Sequence, residues 1–147
     1  MEKPALLRAE IQKHLPELRQ NPDKLTMFVT NGQIVASKGT LSHETKYRLS
    51  VMITDFTGNI DVLNAVVIAW LQEANPQIIA PGATTPTDYS FEVELLSNDT
   101  CDILIELNLT ERTTVLTDDQ GNIVIGHPRN ANHSDLMTAL GIGTDRK

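Results

Sequence analysis

Between His43 and Thr54 hydrophobic and polar positions alternate. Tyr47, Leu49, Val51 and Ile53 fall on one side, Arg48, Ser50, Met52 and Thr54 on the other. A repeat of two is what a β-strand with one buried face requires, because successive side chains leave opposite faces of the pleat. The alternation breaks at Asp55-Phe56-Thr57-Gly58-Asn59, a run of turn formers after which Asn59 or Asp61 can cap a helix. From Val62 to Leu71 the chain is apolar except for Asn64. The helix predicted there must stop near Asn75, since Pro76 disfavours helical geometry in the residue before it. One face, Val62, Ala65, Val66, Ala69 and Trp70, is enough to cover a sheet. The opposite face, Leu63, Val67, Ile68 and Leu71, is apolar too. A second cover is therefore expected, either the N-terminal helix or another subunit.

The rest of the pattern predicts the neighbours of this strand and helix. Pro4 at a first helical position leads into Leu7, Ile11 and His14 or Leu15, a helical stripe that Pro16 ends or bends. After a turn at Asn21-Pro22-Asp23, the apolar runs Leu25–Thr30 and Gln33–Ser37 flank Asn31-Gly32, which predicts a hairpin. The segment from Pro76 to Asp88, with Pro81-Gly82-Ala83-Thr84-Thr85-Pro86 inside it, is expected to be an exposed, mobile loop. Phe91, Val93 and Leu95 alternate with Glu92 and Glu94. Beyond the turn Ser97-Asn98-Asp99, Ile103, Ile105, Leu107 and Leu109 alternate with Asp102, Leu104, Glu106 and Asn108. Thr113–Leu116 and Ile123–Ile125 flank a further hairpin turn, Asp118-Asp119-Gln120-Gly121.

The fold class read from these elements is α+β, an antiparallel sheet of about five to seven strands with two helices packed over it. Residues 1–127 form one domain in this reading. Residues 128–147, polar and dotted with glycine, form a loosely ordered C-terminal tail with at most a short helical turn near Leu136 to Leu140.

Composition narrows the class. A chain of 147 residues buries roughly two-thirds of its unfolded surface as one domain. The longest apolar run is too short to span a bilayer, which needs about 18 residues or more. Met1-Glu2-Lys3-Pro4 lacks the regions of a signal peptide, so a cytoplasmic protein away from membranes is expected. Cys101 is single, which rules out an internal disulfide. The net charge of −7 is unevenly spread: residues 1–50 carry +3, residues 51–128 carry −11 with Arg112 their lone base, and residues 129–147 carry +1. An acidic body grips a phosphate backbone poorly. A basic segment beside an acidic one suits head-to-tail association of copies, although solvated faces serving solubility account for the same split.

Catalytic chemistry is thinly represented. Gly141-Ile142-Gly143 has no strand before it and no helix after it, so it is no dinucleotide fingerprint. His127, His133 and Asp135 match no metal-ligand spacing, and His14 and His43 stand apart from any nucleophile. Asp55 and Asp61 are explained by turn and capping duty. The expectation is that there is no catalytic residue, no cofactor and no metal.

The order of the segments carries more. Leu7-Arg8, Leu15-Pro16-Glu17-Leu18, Asn21-Pro22-Asp23-Lys24-Leu25, Phe28-Val29 and Gly32 come first. Tyr47-Arg48-Leu49, Ile53-Thr54-Asp55-Phe56 and Trp70-Leu71 before Pro76 follow. Asp102-Ile103, Leu109-Thr110-Glu111-Arg112 and the hairpin at Gly121 close the series. In that order and spacing, over about residues 4 to 127, the chain resembles the tail completion protein R (gpR) family of contractile-tailed bacteriophages. The resemblance implies a virion structural protein that terminates the tail tube and prepares it for joining to the head. By looser analogy with other tail terminators it implies a homo-oligomeric, sixfold ring with a channel for DNA. Its partners would be further copies of itself, the tail tube protein and head–tail connector proteins, with DNA met only in passage through the lumen. It would be found in the virion tail, and in the host cytoplasm during assembly.

A ring needs two different patches on each copy. The candidates are the surplus helix face, Leu63, Val67, Ile68 and Leu71, and the pair Glu111 and Arg112, which could join each other, cross-strand acids or a neighbouring subunit. Two other classes stay open, a head–neck joining protein and a small cytosolic enzyme.

Overall fold

The alternating stretch folds as β2 (His43–Phe56), which pairs with β4 (Cys101–Thr117) at the centre of an antiparallel sheet. The structure, a computed structural model, describes residues 1–80, 82 and 87–128. β1 (Leu25–Ala36) flanks β2, and β3 (Tyr89–Leu95) flanks β4, giving the order β1-β2-β4-β3. β5 (Ile123–Gly126) pairs with the far end of β4. Leu49 lies opposite Leu107, Val51 opposite Ile105 and Ile53 opposite Ile103. All six are buried on the same face, so the alternation in the sequence maps directly onto the sheet.

Three helices, α1 (Lys3–His14), α2 (Pro16–Gln20) and α3 (Ile60–Ala74), complete the α+β architecture. One more helix than expected arises at Pro16. The residue before a proline is pushed out of helical geometry, and Leu15 is extended, with φ −124° and ψ 91°. The chain breaks there and restarts with Pro16 in the first turn of α2. α1 packs against α3, and Leu7, Ile11 and Leu18 join the buried face of the sheet in one hydrophobic core. Asn59 caps α3 as predicted, its Oδ1 accepting the N–H of Asp61 at 2.7 Å and of Val62 at 3.4 Å. The helix stops at Ala74, before Asn75-Pro76.

Two expectations change. Asn31-Gly32 does not turn a hairpin, because β1 runs straight through it to Ala36 and the chain reverses over residues 37–42 instead. Thr30 pairs with Arg48 and Gln33 with Lys46, so two residues of β1 oppose one of β2. That is a β-bulge, and Asn31 supplies the left-handed position it needs, at φ 56°. The same positive-φ tolerance that favours a tight turn has been used inside a strand.

The faces of α3 are also exchanged in part, with Trp70 inward as expected and Ile68 exposed. Leu63, Val67 and Leu71, expected on the surplus face, are fully buried, and Trp70 is buried beside them. Val62, Ala65 and Ala69 are exposed instead. Leu63, Val67, Trp70 and Leu71 recur at helical spacing and carry the bulk, whereas the exposed face is made of Val62, Ala65, Ile68 and Ala69. Burying a large side chain contributes roughly 1.5–3 kcal/mol, so the bulkier stripe goes inward. α1 supplies the second cover that the sequence demanded.

No described helix is long and apolar enough to cross a membrane. The loop segment 83–86, the C-terminal tail from 129 onward, and His133 and Asp135 lie outside the described residues.

Candidate functional site

The six residues singled out in the sequence separate into two groups. Leu63, Val67 and Leu71 lie in the hydrophobic core, and Glu111, only 5% exposed, is buried as well. Ile68, 40% exposed, and Arg112 reach the surface. Glu111 and Arg112 do not pair with each other, because neighbours on a strand point to opposite faces. Glu111 faces the helices, and Arg112 faces away, in register with Glu44 of β2.

Glu111 instead organises a polar clasp where α1 meets the sheet. Its carboxylate accepts the backbone N–H of Glu2 at 2.9 Å, the N–H of Lys3 at 3.2 Å and the hydroxyl of Tyr47. Burial works to raise the Glu111 carboxyl. The hydrogen bonds from Tyr47, Glu2 and Lys3, with the nearby amino terminus, outweigh it and hold the group below the usual glutamate range. The Lys3 ammonium donates to Asn75 Oδ1 at 2.8 Å and to the Thr110 carbonyl at 2.6 Å. Burial lowers it to about 8, against the pull of Glu111 and Glu2. Asn75, fully buried, also accepts the Thr110 N–H at 3.1 Å, while its Nδ2 finds no partner among the described residues. Every strong polar contact here joins one part of this chain to another, so the clasp is structural. No local pattern signals it, since Lys3, Asn75 and Glu111 are far apart along the chain.

The face of the sheet turned away from the helices carries a second network. Arg48 reaches Glu106 at 3.3 Å, Asn108 Oδ1 at 2.8 Å and the Thr87 carbonyl at 3.0 Å. Ser50 donates to the same Glu106 carboxylate. Cross-strand pairs of this kind fix register on a solvated face.

Two shallow clefts lie on the surface. One, about 360 Å³, is lined among others by Lys46, Arg48, Asp88 and Asn108. The other, about 480 Å³, is lined by Ser42, His43, Glu44 and Arg112. His43 and Glu44 are successive residues of β2 and point to opposite faces, and the His43 ring contacts the Leu41 carbonyl at 3.0 Å. No group of three or more potential metal ligands occurs among the described residues.

What stands out chemically is uncovered sheet. Beyond the helices, the distal parts of β1 and β4 together with β5 form an arm with apolar side chains on both faces. Ile34 is 63%, Leu116 67% and Ile123 63% exposed. On β3, Phe91 is 55% and Leu95 78% exposed. Large exposed apolar areas mark association surfaces. Among the described residues β1 and β3 each pair on one side only, leaving both edges of the sheet open. Exposed apolar side chains beside open strand edges are features that another protein surface can cover.

Comparison with known proteins gives the family. The profile of the P2 phage tail completion protein R (GpR) family matches residues 1–131. The chain is 40% identical over 116 residues to tail completion protein R of Escherichia phage P2, covering 78% of this chain and 75% of that protein. No solved structure matches the chain. The protein belongs to the tail completion protein R family.

Proposed function

We propose that this protein finishes the phage tail tube. Copies gather at the end of the tube that meets the head, stop its growth and present a surface for joining. The 40% identity to a phage tail completion protein carries this reading, and the exposed apolar arm and open sheet edges support it as the means of assembly. The protein acts as a homo-oligomeric ring whose neighbours are the tail tube protein on one side and head–tail connector proteins on the other. It assembles in the host cytoplasm and remains in the virion tail. Its action is structural, with no catalytic step. Ile68 and Arg112 are proposed as contacts between copies, because of the six candidates they reach the surface. The charge of −11 over residues 51–128 lets DNA pass through the lumen with little to hold the phosphates.

Phage assembled without this chain should yield separate heads and tails in the electron microscope, and adding the purified protein to that extract should restore infectious particles. Joined, infectious particles in its absence would overturn the proposal. Imaging tails before heads attach separates it from a neck protein, since a completion protein is already seated on the tail. Tight binding of DNA at low salt would contradict passage without grip.

A further inference from the structure

We propose that copies of this protein join edge to edge, β1 of one against β3 of the next, continuing the antiparallel sheet from subunit to subunit. The inference rests on the multi-copy reading above and names the surface that reading requires.

Natural edge strands are guarded by charged residues, proline or brevity, because an unguarded edge is a template for another chain. β1 is twelve residues long and contains no charged residue and no proline. Its free edge can be read from the ladder. The Asn108 N–H of β4 donates to Asp88 beside β3, and the Val115 N–H to Ser42 beside β2. In an antiparallel ladder alternate residues face opposite sides. Even-numbered residues of β4 therefore face β3, and odd-numbered ones face β2. Carried through the observed register, this turns the N–H groups of Met27, Val29 and Ile34 outward from β1, and those of Phe91 and Val93 outward from β3.

Strand direction fits a second copy. The order β1-β2-β4-β3 is antiparallel at every step, so β1 and β3 run in opposite directions. A copy placed beside β3 by rotation about an axis along the strands presents its β1 antiparallel to it, and repetition of that step closes into a ring. Side chains fit as well. Phe91 and Leu95 lie on the helix-side face, opposite the buried Ile105 and Cys101, yet both are exposed. Val29, on the same face of β1, would cover them.

Charge selects this pairing over its rivals. Residues 24–50, β1 with its flanks and β2, carry four bases and one acid; Lys24 and Arg48 pair with Glu17 and Glu106, which leaves Lys38 and Lys46 for a neighbour. Residues 88–102, β3 with its flanks, carry five acids and no Lys or Arg. A β1-to-β1 or β3-to-β3 contact sets like charges together, whereas β1 to β3 sets opposite ones together.

The full chain and two charge variants, Glu92→Lys/Glu94→Lys and Lys38→Glu/Lys46→Glu, test this by native mass spectrometry and analytical ultracentrifugation, with thermal unfolding as the check on fold. Wild type should assemble, and each variant alone should associate about tenfold more weakly or worse. An equal mixture should assemble again, with the two variants in equal numbers, because each then meets its opposite at both edges. Val29→Pro, which removes an outward N–H without touching the β1–β2 ladder, should also block assembly. Wild-type assembly that all three variants retain would overturn the edge contact and leave the multi-copy reading standing. A wild-type protein that stays a single copy, alone and with tube protein, would overturn both.

Discussion

Glu111 of β4 accepts the backbone N–H of Lys3 at 3.2 Å, a contact that spans 108 residues of sequence. The first N–H groups of a helix have no partner within it, and α1 has no side-chain cap of its own. Glu111 provides that cap from the sheet, taking the Glu2 N–H as well. Glu111→Ala should therefore cost about 1–3 kcal/mol of stability, since it removes the acceptor of two part-buried N–H donors and of the buried Tyr47 hydroxyl. Glu111→Gln keeps one carbonyl oxygen and should fall between. Urea unfolding measures both, and a loss from Glu111→Ala no larger than that from Glu106→Ala, on the solvated face, would contradict the capping role.

The same clasp sets a pH dependence. Lys3 holds its proton less tightly in the folded chain, so its burial costs stability while both states are charged, and that cost lifts as pH rises from about 8 towards 10.5. Tyr47 acts in the opposite sense. Burial, with the Glu111 hydrogen bond and charge, raises its hydroxyl above the ordinary 10.0, so the unfolded chain ionises first and stability falls beyond that point. On the acid side, Glu111 is held below 4.5, and its contribution is lost as pH falls through the lowered value. Urea midpoints should thus rise between about pH 8 and 10 and then decline. Lys3→Met should flatten the rise, and Tyr47→Phe should remove the decline that Tyr47 causes.

What the sequence made legible follows from distance along the chain. The strand around Leu49, the cap at Asn59 and the stop before Pro76 are set by neighbouring residues, and all three are found in the structure. The Glu111 clasp depends on Lys3, Asn75 and Thr110 meeting in space, and no local pattern announces it. α3 was an intermediate case. Its two apolar faces were visible in the sequence, but which residues turned inward depended on how Leu63, Val67, Trp70 and Leu71 pack together in the core. The open edge of β1 was hidden for a different reason, since Asn31-Gly32 reads as a hairpin that would have split the strand in two.

The exchange of faces on α3 gives substitutions of opposite outcome. Leu63→Ala and Leu71→Ala each open a cavity in the core and should cost about 2–5 kcal/mol. Leu63→Asp should prevent folding altogether. Ile68→Asp and Val62→Asp, on the exposed face, should change stability by about 0.5 kcal/mol or less and still yield a folded chain by circular dichroism. If Ile68 lies between copies, Ile68→Asp lowers the assembled mass in light scattering while the fold survives. Leu63→Asp cannot make that distinction.

Asn31 offers a test of the bulge itself. At φ 56° it sits where a β-branched side chain is strained, and Asn tolerates that region better than most. Asn31→Gly should leave stability within about 0.5 kcal/mol of wild type, whereas Asn31→Val should cost about 1–2 kcal/mol. The strain would be relieved by flattening the bulge. That shift would move Gln33–Ala36 by one residue against β2 and turn Ile34 to the other face, because side chains alternate with a period of two. Hydrogen exchange should then show loss of protection from Gln33 to Ala36 and from His43 to Lys46, with Leu25–Val29 unchanged. Equal protection in Asn31→Val and wild type would mean that the bulge does not set the register of the arm.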